Sequence, residues 1–372
     1  MIGRDKMVNV CIIGAGNVGT AILSKLCQKE NLFVTIYSTR KQLWNDIICY
    51  RGMDSKGEWN QVSGFKITDD LKDAVQNADQ IFVTLPSFLR EKCIDEINDY
   101  VMPDTLIAFV PGCGGAEFFC GKLMDKKCRI IGFDRVPAVS RVKEYGKSVE
   151  FEWKKTLRLT GLNVNKSDVK VICEILSKEF EIKFTPLDCY LSITLTPANP
   201  IMHPVRLYSM FKDKQKDSVL DRNILFYGEW DDDTSRYLFQ CDEELQRLCD
   251  VIGVGDVISL KKHYEANTPE QMTQKMHSIV AFKKVQSPIK QDENGSLKID
   301  FDSRYFTEDF HYGLFIIKAL ADIFDVETKM IDTIIAWYIN LTGESNDYYN
   351  LLKDKGIETK NDVYNLYGLS ER

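Results

Sequence analysis

The stretch VNVCIIGAGNVGTAIL, Val8 to Leu23, decides how this chain is read. Val8 to Ile13 is a short apolar run of the kind that fills a buried strand. Gly14, Gly16 and Gly19 follow at G-x-G-x-x-G spacing, and Ala21, Ile22, Leu23 and Leu26 then recur in a helical pattern. Strand, tight turn and helix in this order form a dinucleotide-binding unit. Gly14 allows the turn, Gly16 lets the backbone approach a pyrophosphate, and Gly19 lets helix and strand pack closely. The start of the helix offers N–H groups and partial positive charge to the phosphates. Gly14, Gly16, Asn17, Val18 and Gly19 are therefore the expected cofactor cradle. A glycine-rich turn without a ligand would show the same spacing, but the strand before it and the helix after it favour the site.

Working outward, Leu32 to Tyr37 reads as the second strand, whose end should reach the adenosine ribose. NAD-selective sites usually place a carboxylate there to accept the ribose hydroxyls. This chain has Ser38-Thr39-Arg40-Lys41 instead. An acid would repel a 2′-phosphate, whereas hydroxyls and a guanidinium bind one. NADP(H) is therefore favoured over NAD(H), with Ser38, Thr39 and Arg40 as its readers. Asp79 to Ser87 reads as a further buried strand that ends in the proline turn Leu85-Pro86-Ser87, on the ligand side of a doubly wound sheet. Leu85 and Pro86 either line the nicotinamide end or simply turn the chain. Leu106 to Val110 is the next strand, followed by a second glycine-rich turn, Pro111 to Ala116. Arg135 and Arg141 flank a rigid turn, and either guanidinium suits a substrate carboxylate. A helix is expected over Lys166 to Phe180, and Phe184 to Asp188 closes the first domain.

From Tyr190 onward strand signals thin out and long helical runs dominate. The expected architecture is α/β: a Rossmann-like, doubly wound N-terminal domain over 1–187 and a mostly helical C-terminal domain over 188–372. The active site is expected in the cleft between them. Asp231 to Ile252 reads as an amphipathic helix capped near Asp233 or Thr234. Asn294-Gly295 reads as a hairpin turn, Gly313 to Ile323 as an apolar helix, and the final short helix as a peripheral cap.

Bulk properties narrow the function. The 372 residues carry a net charge of −7 without a basic stripe, which argues against nucleic acid as the main partner. No apolar run reaches the ~18–20 residues of a membrane span, and MIGRDKM lacks the apolar core of a signal peptide. Eleven scattered cysteines with no CxxC pair and only four histidines speak against a metal site and for reduced thiols in a cytoplasmic protein. Oligomeric state is not legible, although a homodimer is allowed.

His203 is the best acid/base candidate, because imidazole titrates nearest neutrality. If Asn199 and His203 share a helix, their i, i+4 spacing puts both on one face, although Pro200 and Pro204 mark either a helix start or a bend. A hydrogen-bonded core histidine is the alternative. His263, His277 and His311 lie among charged or helical surface residues. Asp309 either caps a helix or holds an imidazole in one tautomer.

The order of segments resembles the octopine/nopaline dehydrogenase family, the opine dehydrogenases. The stretches that carry the resemblance are Ile13 to Gly19, Pro111 to Ala116, Arg135-Val136-Pro137, Asn199-Pro200-Ile201-Met202-His203-Pro204, Phe226-Tyr227-Gly228-Glu229 and Arg304-Tyr305-Phe306-Thr307-Glu308-Asp309 through Leu314. The resemblance implies NAD(P)H-dependent reductive condensation of an α-keto acid with the amine of an amino acid, through an imine. It implies His203 as the acid/base residue with Asp309 as its partner. It also implies Arg304 at the cofactor pyrophosphate or a substrate carboxylate. Asn199 and, by a looser match, Arg141 are the further substrate-binding candidates. Where relatives commonly show Val-Pro or Ile-Pro after the Glu-Asp pair, this chain has Phe310-His311, which is expected to change the pocket rim. A ketopantoate-type 2-keto acid reductase and a non-catalytic NADPH-binding sensor are the competing readings.

Overall fold

A computed structural model describes residues 7–53, 55, 57–344 and 350–369. The chain divides into two compact units, Met1–Thr194 with Leu366–Gly368, and Leu195–Asn365 with Leu369–Arg372.

The first unit contains β1 (Val8–Ile13), β2 (Leu32–Tyr37), β3 (Ile48–Gly52), β4 (Asn60–Val62), β5 (Lys66–Thr68), β6 (Gln80–Val83), β7 (Leu106–Phe109), β8 (Arg129–Phe133), β9 (Ala138–Glu144), β10 (Ser148–Trp153), β11 (Thr156–Leu162) and β12 (Lys183–Pro186). Eight of them form one sheet in the order β12-β11-β8-β7-β6-β1-β2-β5. From β5 to β8 every neighbouring pair is parallel. The strands on either side of β1 run to opposite edges, so the order reverses between β1 and β6. That reversal is where a doubly wound sheet opens a crevice at the carboxyl ends of its strands. The central strands are buried along nearly their full length, as a sheet covered on both faces requires. Phe82, Phe133, Phe180 and Phe184 pack edge to face or tilted within this core. The fold is thus α/β and doubly wound, as expected.

A second sheet has the order β4-β3-β10-β9. Its β3–β10 pairing is parallel and joins residues about a hundred positions apart. Arg141 lies inside β9, so it is a strand residue and does not flank a turn. The helix Lys166–Phe180 has the predicted bounds; Asn165 caps it by accepting from the Asp168 N–H.

The second unit is mainly helical; its named strands are a short hairpin of Ile289–Gln291 and Leu297–Ile299 around Gly295. Helix Asn199–Phe211 starts with Pro200 in its first turn, where a missing N–H is harmless, and accommodates Pro204 inside. Helix Asp232–Ile252 is capped by Asp231, which accepts from the Thr234 N–H at 2.7 Å, so the cap lies earlier in the chain than Asp233 or Thr234. The apolar run near Gly313 does not begin a new helix. It sits in a π-helical turn, Phe310–Leu314, that leads directly into helix Phe315–Ile323. In the last helix, Lys360–Tyr367, Tyr367 belongs to the first unit, is 7% exposed, and donates to Glu117 at 2.9 Å. No helix among the described residues is long and apolar enough to cross a membrane.

Candidate active site

The first constellation forms at the carboxyl ends of β1 and β6. Gly14 has φ +114°, which an L side chain rarely adopts, and a methyl group there would lie 2.4 Å from Thr84 Oγ1. A methyl group at Gly19 would lie 1.8 Å from the Gly14 carbonyl oxygen, so the helix packs directly on the turn. At Gly16 the same group would meet nothing within 4 Å, and the residue is exposed. Two glycines close the turn and the third leaves its outer face open. Helix Asn17–Leu26 has no side-chain N-cap, so its leading N–H groups face that open surface without a side-chain acceptor. Asn17 accepts the Val142 N–H at 2.7 Å and ties the helix start to β9, while Val18 is half-buried. These residues fit a pyrophosphate.

At the end of β2, Ser38 is buried, whereas Thr39 and Arg40 are exposed. Ser38 Oγ accepts the Arg40 N–H at 3.1 Å. Lys41 pairs with Asp69 at 3.7 Å. Leu85 and Pro86 follow β6 half-buried; the Leu85 carbonyl accepts from Arg90, whose guanidinium also donates to the Cys113 carbonyl at 2.6 Å. Arg90 is 2% exposed and bridges the two turns that end β6 and β7, a contact not anticipated from the sequence.

The second constellation lies wholly within the helical unit. Helix Asn199–Phe211 carries His203, whose side chain is 10% exposed. Its Nδ1 lies 2.7 Å from Asp309 Oδ2, and its Nε2 lies 2.8 Å from the Tyr227 hydroxyl. The ring stands edge-on against Tyr305, with centroids 4.6 Å apart, and against Phe226 at 5.4 Å. A carboxylate at Nδ1 keeps the proton on that nitrogen and leaves Nε2 as an acceptor. Burial holds the Tyr227 hydroxyl well above the ordinary tyrosine range, so it remains the donor to Nε2. Burial also pushes the Asp309 carboxyl up, against the opposing pull of the imidazole beside it.

Local packing explains this meeting across about a hundred residues. Asp309 immediately precedes the π-helical turn and makes no capping bond with its side chain. The Leu314 N–H reaches the Asp309 carbonyl at 3.0 Å, which widens the turn. Gly313 then sits against Pro200, where a methyl group would lie 2.9 Å from Pro200 Cβ. The absent side chain lets the turn approach the helix that carries His203. On that helix, Arg206 is buried and donates to the carbonyls of Phe226 at 2.6 Å and Glu229 at 2.8 Å. One helix therefore supplies both the imidazole and the clamp on the loop that presents Tyr227.

The remaining candidates are not all drawn in. Asn199, one turn before His203, is exposed. Arg304 is 67% exposed and engages Glu308, the residue just after its own short helix. Arg141 is exposed on β9 and donates to the Ser140 carbonyl. Phe310 is fully buried and stacks on Tyr338 at 3.9 Å, so it is a core residue and not part of a rim. His311 is half-buried and bonds the same Tyr338 at 3.1 Å. Tyr227 and Arg206 were missed; the Phe226-Tyr227-Gly228-Glu229 stretch was the one signal for the former.

Residues 186–342 match the family described as NAD/NADP octopine/nopaline dehydrogenase, alpha-helical domain, and residues 9–113 match the NAD-dependent glycerol-3-phosphate dehydrogenase N-terminus. The chain is 27% identical to the opine dehydrogenase of Haliotis discus hannai, over 95% of this chain and 94% of that protein. It is 24% identical to the tauropine dehydrogenase of Arabella iricolor, over 91% and 92% respectively. A solved octopine dehydrogenase with NADH and L-arginine superimposes with a TM-score of 0.81 at 22% identity, covering 98% of this chain and 99% of that one. A Rossmann-like first unit and an octopine/nopaline dehydrogenase alpha-helical domain over residues 186–342 thus make the chain similar to opine and tauropine dehydrogenases across most of its length.

Proposed function

We propose that this enzyme condenses an α-keto acid with the amine of an amino acid and reduces the resulting imine to a secondary amine, with NADPH preferred over NADH. The observation that carries the reading is the buried His203–Asp309 pair, 2.7 Å apart, in a chain that also holds a dinucleotide cradle. Relatives named for opine, tauropine and octopine oxidation support the substrate class. The cofactor, when bound, supplies the hydride.

In this scheme Gly14, Gly16, Asn17, Val18 and Gly19 hold the pyrophosphate, and Leu85 and Pro86 flank the nicotinamide end. Ser38, Thr39 and Arg40 read the ribose. His203 moves the protons at Nε2, where the substrate takes the place of the Tyr227 hydroxyl that donates there in this structure. As imidazolium it protonates the carbinolamine hydroxyl, which leaves as water; the iminium carbon then takes the hydride and the nitrogen keeps its own proton. In the opposite direction the neutral ring accepts the proton that water gives up. Asp309 stabilises the imidazolium and fixes the ring's tautomer. Arg304 anchors a substrate carboxylate by exchanging Glu308 for it, and Asn199 stands on the same helix as His203. Arg141 is retained as a second carboxylate anchor. Holding both reactants in place contributes much of the rate.

A grid of keto acids against amino acids tests the reading, with NADPH and NADH oxidation followed in parallel. Turnover that requires both partners supports it. Turnover with a keto acid alone, indifferent to added amines, replaces it with a simple keto acid reductase.

A further inference from the structure

At the adenosine end of the cradle, an aromatic residue with no assigned role touches two of the three residues proposed to read the ribose. Tyr145 sits in the turn between β9 and β10, more than a hundred residues after Ser38. Its hydroxyl lies 2.9 Å from Ser38 Oγ. Its ring lies under the Arg40 guanidinium, with Cζ 3.9 Å from the ring centroid. Trp44 backs the same ring edge-on at 5.8 Å.

The turn is fixed against the segment after β2 by its own backbone. The Asn45 N–H donates to the Gly146 carbonyl at 3.0 Å, and a methyl group at Gly146 would lie 2.5 Å from the Leu43 carbonyl oxygen. Only glycine lets the two segments meet this closely. The Tyr145 ring therefore has little freedom to leave.

Among the described residues Arg40 has no carboxylate partner, while its neighbour Lys41 is paired with Asp69. Its guanidinium is held by an aromatic face and not by an acid. A planar cation on a ring keeps its N–H edge directed outward, where it can donate to two phosphate oxygens at once. Ser38 is arranged in the same sense. Its oxygen already accepts the Arg40 N–H at 3.1 Å. When Tyr145 also donates to that oxygen, the Ser38 proton is left to point at a ligand oxygen.

We propose that Tyr145 is a positioning residue for cofactor selectivity: its ring and hydroxyl pre-set Arg40 and Ser38 to receive the 2′-phosphate of NADPH. This rests on the NADPH preference proposed above, and the test separates the two. The kcat/KM for NADPH and for NADH is measured for the wild type and for Arg40→Asp, Tyr145→Phe and Tyr145→Leu. Tyr145→Leu should lower the NADPH/NADH ratio about tenfold, with the loss in KM and not in kcat. Tyr145→Phe keeps the ring and loses the hydroxyl, so it should recover part of that loss. Arg40→Asp should lower the ratio further still. If Arg40→Asp collapses the ratio while both Tyr145 variants keep it, Tyr145 has no selectivity role and the cofactor reading stands. If the wild type prefers NADH and Arg40→Asp leaves the ratio as it was, the cofactor reading fails and takes this inference with it. Thermal unfolding of each variant reports whether it is folded.

Discussion

Replacing Asp309 by Asn probes the acid/base pair with almost no change of shape. The carboxylate accepts a bond from His203 Nδ1 at 2.7 Å, in surroundings that leave its side chain 14% exposed. A hydrogen bond to an ionised group at such a site contributes about 1.5–3 kcal/mol. Asn removes the negative charge opposite the imidazolium. If its amide turns N–H toward Nδ1, it also moves the ring proton to Nε2, where the Tyr227 hydroxyl already donates. The two effects together should raise the barrier by about 3–4 kcal/mol, or about 100- to 1000-fold in kcat. The cofactor cradle lies in the other unit, so the NADPH dissociation constant should stay within about threefold. Steady-state kcat and NADPH fluorescence titration on the same preparation measure both quantities. A variant that turns over within threefold of the wild type would remove Asp309 from the proton chemistry, whatever its distance from the ring.

Other outcomes follow from the same geometry. Tyr227→Phe removes the donor to Nε2 and should lower kcat about three- to tenfold, given about 0.5–1.5 kcal/mol for such a bond; a larger loss in a stopped-flow hydride-transfer trace would make the hydroxyl itself a proton carrier. Gly313→Ala places a methyl group 2.9 Å from Pro200 Cβ, and thermal unfolding should show about 1–3 kcal/mol of destabilisation together with reduced kcat. Gly19→Ala should abolish tight cofactor binding, read by titration, because its methyl group would overlap the Gly14 carbonyl. Burial pushes the Asp242 carboxyl up to about 6, above its ordinary 3.8. The folded state therefore favours the protonated acid: this contribution is fully present below about pH 4 and is lost as pH rises through about 6. Urea unfolding across that window should show a fall of about 3 kcal/mol from this group, and Asp242→Asn should flatten it.

Local patterns made much of this protein readable. The turn at Gly14 to Gly19 and the helix Lys166–Phe180 rest on neighbouring residues, so sequence order was sufficient. The four-stranded sheet was not legible, because β3 finds its partner in β10 and no local signal records a pairing of that range. The π-helical turn escaped for a related reason. A period near that of an α-helix hides the extra residue, and Gly313 reads as a helix start until Pro200 is seen beside it. His203 and Asp309 were named from the resemblance, but the contact between them depends on that turn. Tyr227 and Arg206 show what residue type alone conceals: a tyrosine in a loop and an arginine on a helix look like surface chemistry, yet both are buried, one against the imidazole and the other against the loop that presents that tyrosine. Arg304 shows the converse. Its motif suggests a ligand, and in this structure its guanidinium is held by Glu308.

The central claim is that an amine nitrogen ends up bonded to the carbon that receives the hydride. It is tested most directly by supplying a ¹⁵N-labelled amino acid with a keto acid and NADPH, and comparing NADPH consumed with labelled product by mass. The account predicts one labelled secondary amine for each NADPH oxidised. An unlabelled hydroxy acid formed in step with NADPH loss would contradict it.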